Sequence, residues 1–441
     1  METYIRNMQK SLLNNSVVLL AAILLPCCSQ PSEIQQKPAE AFKSTYSDYY
    51  KVTHNETEVP VYYSRVGAFV IIALENEKNK LTIENHAPIE TVEVIPSLGP
   101  GYEVENSTLV LDEVKPGKYF IKIDRNYVYP LMVFGYAAEQ KKEGSHVFPA
   151  GIHDAGEIVL ASGDHLILEK GAIVYGNVIS ENATNIRISG TGILKGTKIP
   201  MDEKAGIHLI NCSDITISDI TSLDPAKANI VLEGSSNVQV RNVNLIGNRE
   251  LRMNDDGIHI TNSRGVDIAN VLTNTRNNSV SLRHNGNLDG FNQDIRVSRS
   301  WFWKGDYGDA IDITYGADNG KLKDISFKDI DIIHCEGGAA ISMTAEAASF
   351  TDITLEDIRV MNASFMFLDI QLQESTTLEN IVFRNIDYSG INHAYSRLEV
   401  KHNPGDLKII GARYKGNTVT SPGDLYLRTS TPGIDIIAGS L

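Results

Sequence analysis

The chain has 441 residues, 42% apolar and only 7% aromatic, with 55 acidic and 40 basic side chains giving a formal charge of −15. That composition excludes a disordered chain, a collagen and a polytopic membrane protein. The acidic balance leaves little room for a basic stripe, which argues against nucleic acid as a general partner.

At the N-terminus, Arg6 and Lys10 precede an apolar run from Val17 to Leu25 that ends in Pro26-Cys27-Cys28-Ser29-Gln30. The run is too short to span a bilayer as a mature helix and reads as a signal peptide over residues 1–28. A Cys at its end followed by Ser and Gln resembles a bacterial lipoprotein signal. Cys28 is the expected lipidated residue, because Pro26 suits the position immediately before a cleavage site poorly and Cys27 is small. Residues 29–45 then form a flexible tether. The expectation is an exported protein of the bacterial envelope, touching membrane only through its lipid; an ordinary cleaved signal is the alternative. Cys212 and Cys335 are expected to be buried in separate repeats rather than joined in a disulfide.

Residues 46–140 alternate β-branched or aromatic residues with polar ones, as in Ala68-Phe69-Val70-Ile71-Ile72 and Lys118-Tyr119-Phe120-Ile121, with turn signals at Pro100-Gly101 and Pro116-Gly117. This predicts a small antiparallel β-sandwich. From residue 145 to 441 the character changes to a recurring unit, [Asn/Asp]-Ile-x-Ile/Val-x-[Asn/Asp]-Ile/Val. Asp214-Ile215-Thr216-Ile217-Ser218-Asp219-Ile220, Asp324-Ile325-Ser326-Phe327-Lys328-Asp329-Ile330 and Asn380-Ile381-Val382-Phe383-Arg384-Asn385-Ile386 are examples, and the first apolar positions step by 29, 23, 28, 29, 30, 28 and 28 residues. A period near 28 with two-residue alternation inside each unit predicts a right-handed parallel β-helix, an all-β solenoid whose stacked coils share one aliphatic core.

Aligning the short strands that precede each unit gives a second column: Ala205-Gly206-Ile207-His208-Leu209, Ala228-Asn229-Ile230-Val231-Leu232, Asp256-Gly257-Ile258-His259-Ile260, Asn278-Ser279-Val280-Ser281-Leu282, Asp309-Ala310-Ile311-Asp312-Ile313 and Ala339-Ala340-Ile341-Ser342-Met343. Positions three and five are inward aliphatics. Position one is small in the outer coils and carries a carboxylate or amide in the middle three. Stacking makes neighbours of residues far apart in sequence, so Asp256 and Asp309 stand two coils apart, about 9 to 10 Å between backbones. That separation suits two carboxylates flanking a glycosidic bond with room for a water. Asp255 with Asp256 is an alternative pair, and Asp312 lies beside them. Crowded acids are expected to raise one carboxyl's pKa and keep it a proton donor. Substrate contacts are expected from His259, Asn277, Asn278, Arg283, His284 and Lys227. Tyr315 is expected among the substrate contacts as well, and Trp303 is read as a stacking platform for a sugar ring or as core. No metal or cofactor is implied.

Asn254-Asp255-Asp256-Gly257-Ile258, followed by Asn277-Asn278, resembles the Asn-Thr-Asp and Asp-Asp pattern of the polygalacturonase-like β-helix glycoside hydrolases. Trp301-Phe302-Trp303-Lys304 and the sandwich-then-solenoid order are similar to the dextranase and isopullulanase branch. The resemblance implies a hydrolase that inverts at the anomeric carbon with three Asp residues. One of these matches Asp256, and the other two fall on Asn277 and Asn278. An amide neither donates nor accepts a catalytic proton as a carboxyl does, so the acid is expected to have moved to Asp309 or Asp312. The leading expectation is hydrolysis of a polysaccharide or oligosaccharide lying across the solenoid face. The rivals are a lyase acting on a uronate-containing glycan, and a non-catalytic glycan-binding protein.

Overall fold

The computed structural model describes residues 45–439 except 75–78, 97–100, 125–128, 138–142, 197–203, 248–253, 285–289, 317–318, 363–364 and 391–393. The signal segment, Cys28 and the tether up to residue 44 lie outside the described residues. No helix among the described residues is long and apolar enough to cross a membrane.

Residues 50–137 form two five-stranded sheets. One consists of Tyr50–His54, Thr57–Val59, Leu81–Asn85, Tyr102–Glu105 and Thr108–Leu111, all antiparallel. The other consists of Tyr62–Ser64, Gly67–Leu74, Val92–Ile95, Gly117–Ile123 and Leu131–Ala137. Their facing sides bury Val52, Ile83 and Leu109 from the first sheet against Val70, Ile121 and Val133 from the second, which is a sandwich core. The sandwich is not wholly antiparallel as expected, because Leu131–Ala137 runs parallel to Gly67–Leu74. The chain between these two strands passes through the other sheet before returning, a long connection that permits parallel pairing where a tight hairpin does not.

Beyond His146 every coil adds strands in parallel to the coil before it. The recurring Asn and Asp residues explain why the chain bends where it does. Asn185, Asp214, Asn237, Asp294, Asp324, Asp352 and Asn380 all sit at φ between 52° and 57°, and Asp219, Asn242, Asn270, Asp329, Asp357 and Asn385 form a second such file at φ of 52° to 67°. Asn and Asp tolerate this left-handed geometry better than other residues with a Cβ. Their side chains also bond along the stack, as in Asn237 Nδ2 to Asp214 Oδ1 at 3.1 Å and Asn270 Nδ2 to Asn242 Oδ1 at 3.0 Å. Between the bends, Ile215, Val238, Val266, Ile295 and Ile325 stack in one continuous core with Ile207, Ile230, Ile258, Val280 and Ile311. Each such side chain contributes about 1.5–3 kcal/mol on burial. Cys212 and Cys335 are buried thiols in separate coils, not joined in a disulfide.

The sandwich covers one flank of the solenoid. The outer face of its second sheet, with Phe69, Phe120, Met132 and Phe134, packs on Ile193, Leu223, Ile246, Leu272, Trp303 and Ile333. Polar bonds fix the contact: Asn244 Nδ2 donates to Tyr136 Oη at 2.7 Å, Asn274 Nδ2 to the Val66 carbonyl at 3.0 Å, and the buried Lys118 Nζ to the Val243 carbonyl at 2.5 Å. The strands Ile207–Ile210, Ile230–Glu233, Ile258–Thr261 and Val280–Arg283 belong to a different flank, which stays open.

Candidate active site

The open flank carries a groove of about 440 Å³ lined by Lys227, Asn254, Asp256, His259, Asn277 and Arg283, with His284, His208, Glu233, Thr261, Ala205, Ala228 and Val231 completing it. Strand register explains the gathering. His208, Val231, His259, Ser281 and Asp312 are successive neighbours in one outward column, and Glu233, Thr261, Arg283 and Thr314 in the next but one. Ala205 and Ala228 at the first position of the outer coils leave room that a larger side chain would fill.

Asp256 is buried but for a narrow face on the groove. Its Oδ1 accepts the backbone N–H of Asn278 at 3.1 Å and the Asn278 side-chain Nδ2 at 3.0 Å, and its Oδ2 faces His259 Nδ1 at 3.1 Å. A carboxylate accepts only, so His259 carries a proton on Nδ1; in the neutral imidazole Nε2 is then the acceptor for the hydroxyl of Thr261 at 3.1 Å. Two neighbours thus fix one imidazole tautomer and aim it at Asp256.

The file continues along the axis. Asn278 Oδ1 accepts the backbone N–H of Asp309 at 2.6 Å, and Asp309 Oδ1 accepts the backbone N–H of Ala339 at 2.5 Å. Asp256, Asn278 and Asp309 therefore stand in the single register expected, each holding the start of the next coil. Burial pushes the Asp309 carboxyl up to about 6 against the Ala339 N–H bond that opposes it; the Asp312 charge adds to the rise and buried Lys304 reduces it. Asp309 sits one coil beyond the groove's last lining strand, at its end rather than in its wall.

Four expected site residues do different work. Asp255 is fully buried, so it reaches no substrate; its oxygens accept the backbone N–H groups of Arg276 at 3.0 Å and Asn277 at 2.9 Å, which positions Asn277 in the groove. Desolvation pushes its carboxyl up to about 7 despite those bonds. Asp312 is also buried, and Ser281 Oγ at 2.7 Å, Arg283 Nη2 at 2.7 Å and Thr314 Oγ1 at 2.6 Å saturate it. Trp303 is 0% exposed, stacked on Phe120 at 5.3 Å in the contact with the sandwich, so it is no sugar platform. Tyr315 points into the solenoid core, bonded by Asn292 Nδ2 at 2.8 Å and stacked at 6.0 Å beneath the His284 ring. Its groove contribution is to support His284, whose ring nitrogens have no hydrogen-bond partner among the described residues.

Residues 189–392 of the chain match the model of glycosyl hydrolases family 28. The chain is a glycoside hydrolase. The matched stretch spans the groove, Asp256 and Asp309. Among solved structures, Dex49A from Penicillium minioluteum aligns with a TM-score of 0.64 at 11% identity, covering 89% of this hydrolase and 94% of that chain. The likeness shows a shared fold across sandwich and solenoid together. The polygalacturonase from Erwinia carotovora ssp. carotovora aligns at 12% identity and a TM-score of 0.44, covering 65% of this hydrolase and 86% of that chain. No curated protein sequence matches the chain.

His208, Glu233 and Thr261 line the hydrolase groove and were not among the residues expected there. The signal for them was present: extending the strand register from its first position to the fourth and sixth places His208 in the column of His259, and Glu233 in that of Thr261. His208 Nε2 lies 3.5 Å from Glu233 Oε2.

Proposed function

We propose that the protein hydrolyses a polysaccharide or oligosaccharide laid along the open flank, by inversion, with Asp309 as general acid and Asp256 as general base. The observation that carries the assignment is the Asp256–Asn278–Asp309 file, in which two carboxyls stand two coils apart on one rigid strand column. Two strand spacings separate their backbones by about 9 to 10 Å, compatible with carboxyls at the separation that inversion uses. Asp256, ringed by Asn278 and His259, is an acceptor suited to taking a proton from water. Asp309, desolvated and raised to about 6, retains a proton to give to the leaving oxygen. Lys227, Asn277, Arg283 and His284 orient the sugar, and Asp255 and Asp312 hold two of these in place.

The reading is tested on a panel of polysaccharides and aryl glycosides, following new reducing ends, unsaturated-uronate absorbance and the anomer first released by NMR. Loss of reducing ends in both Asp256→Asn and Asp309→Asn, with an inverted first product, supports it. Absorbance of an unsaturated uronate assigns a lyase instead, and binding without cleavage across the panel assigns a glycan-binding protein.

We also propose that the protein is exported and lipid-anchored to the bacterial envelope at Cys28, on the strength of the Cys-Ser-Gln sequence after the apolar run. Labelled fatty acid that is incorporated into the wild type but not into Cys28→Ala tests the anchor; equal incorporation refutes it.

A further inference from the structure

Solenoid cores are aliphatic, and surface aromatics are scarce in this chain. Among the described residues six aromatic side chains are strongly exposed, and the four on the solenoid are Tyr307, Phe365, Tyr395 and Tyr426. Their positions share a rule. Phe365, Tyr395 and Tyr426 each immediately precede a strand of the flank that carries the groove: Met366–Leu372, Ser396–Val400 and Leu427–Ser430. Tyr307 precedes the strand Ile311–Tyr315 of that flank and stands two residues before Asp309. The other turns of the solenoid present no comparably exposed aromatic ring among the described residues.

The backbone stacks these positions. Tyr307 N–H bonds to the Arg276 carbonyl of the groove's last coil at 3.1 Å, the Ala394 N–H to the Phe365 carbonyl at 2.8 Å, and the Ser396 N–H to the Tyr426 carbonyl at 2.8 Å. In the coil between Tyr307 and Phe365 the corresponding turn is Gly337-Gly338, which has no side chain to interrupt the surface. The Tyr395 and Tyr426 rings stack at 4.0 Å with 19° between planes, while remaining 52% and 38% exposed. A pair stacked in this way forms a rigid ledge with little side-chain entropy left to lose on binding.

We propose that Phe365, Tyr395 and Tyr426 form a second glycan-binding surface, on which pyranose rings of the polymer stack beyond the Asp309 end of the groove. The occupant follows from continuity: the ledge residues lie within one register position of the Asp256 and Asp309 column and continue along the same axis, with Tyr307 between them. At about 4.8 Å per coil the Tyr395 and Tyr426 ledge begins about 14 Å past Asp309, too far to touch the scissile bond. Its role is retention of a long chain, and it rests on the reading that the substrate lies along this flank.

The test is affinity electrophoresis of the full chain in gels containing dextran, xylan or polygalacturonate, one polymer per gel. Expected is retardation of the wild type by at least one polymer, about tenfold weaker in Tyr395→Ala/Tyr426→Ala, as the loss of a stacked ring pair predicts. Tyr426→Phe, which keeps the ring and removes its hydroxyl, retains the retardation, as does Phe365→Tyr. Wild type unretarded in every gel, or retardation unchanged in the double variant, overturns the proposal. So does a concentration-dependent increase in mass by light scattering that the double variant abolishes, because the ledge is then a contact between copies. Asp256→Asn separates the two readings: retardation kept while cleavage is lost supports both, and cleavage unaffected in Asp256→Asn with retardation lost in the aromatic variants refutes the catalytic assignment alone.

Discussion

If Asp309 delivers the proton, the rate must follow its protonated fraction. Burial sets this carboxyl at about 6, and the cation of Lys304 pulls against that rise from beneath it. Half of the molecules carry the proton near pH 6 and about one tenth near pH 7, so kcat/KM falls about tenfold for each pH unit above that midpoint. Lys304 is itself fully buried, and its Nζ is bonded to the Gly337 carbonyl. Replacing it in Lys304→Met removes the positive charge while leaving an unbranched chain of similar length. The alkaline limb then moves to higher pH, because the buried ammonium no longer favours the carboxylate. Asp309→Asn removes the proton donor itself and lowers the rate by about a hundred- to ten-thousand-fold. The assay is release of reducing ends from about pH 5 to about pH 8, at substrate concentrations well below KM. An alkaline limb that stays in place in Lys304→Met, or an Asp309→Asn enzyme as fast as the wild type, refutes Asp309 as the acid.

Arg283→Ala leaves the buried Asp312 carboxylate with only two hydroxyl donors, and its stability in urea is expected to drop by about 1–3 kcal/mol, Arg283 itself being partly exposed; an unchanged midpoint contradicts the pair. Trp303→Ala opens a cavity against Phe120 and is expected to cost about 3–5 kcal/mol while KM stays constant. A raised KM with unchanged stability restores Trp303 as a sugar contact. The Asp255 carboxyl, near 7 when folded against about 3.9 unfolded, is neutral in the native protein where the unfolded chain is already ionised. Its contribution is therefore complete below about pH 4 and is lost as pH rises to about 7, amounting to about 4 kcal/mol. Urea midpoints measured across that range should fall more steeply in the wild type than in Asp255→Asn; parallel curves remove Asp255 from the pH dependence.

Repeats made the solenoid legible, because each [Asn/Asp]-Ile-x-Ile unit states its own local rule: a left-handed residue at the bend and two inward aliphatics after it. The same periodicity placed Asp256, Asn278 and Asp309 in one file, which the Asn278 bonds to both neighbours bear out. What a register does not state is which outward position a distant segment covers. Trp303 stands on a strand whose outer face belongs to the sandwich, and its partner Phe120 is 183 positions earlier, beyond any periodic signal. Asp312 is outward by alternation, yet Arg283 from the preceding coil closes over it. Tyr315 is a different case: Ile311 and Ile313 point inward, so the two-residue alternation alone directs Tyr315 to the core. There the pattern held and only the aromatic's proximity to the acids suggested otherwise.

The two asparagines are also less anomalous in the structure than beside the Asp-Asp pattern that the sequence resembles. Asn278 donates through Nδ2 to Asp256 and accepts through Oδ1 from the N–H of Asp309, which uses both ends of an amide. A carboxylate at 278 has no hydrogen to offer Asp256, and its charge would sit against a second acid across the 3.0 Å that now separates donor from acceptor. With Asp309 supplying a second carboxyl one coil on, a third acid between the two would crowd three charges into a single file. The amide keeps Asp256 an acceptor, anchors the backbone of Asp309 and spaces the two carboxyls by one coil on each side. Asn277 belongs to the same arrangement, since its backbone N–H is held by Asp255 while its side chain lines the groove. On the proposed reading, the amides at 277 and 278 and the acid at 309 are one arrangement of charge along the stack, in which the stacking distance of the coils sets the spacing between Asp256 and Asp309.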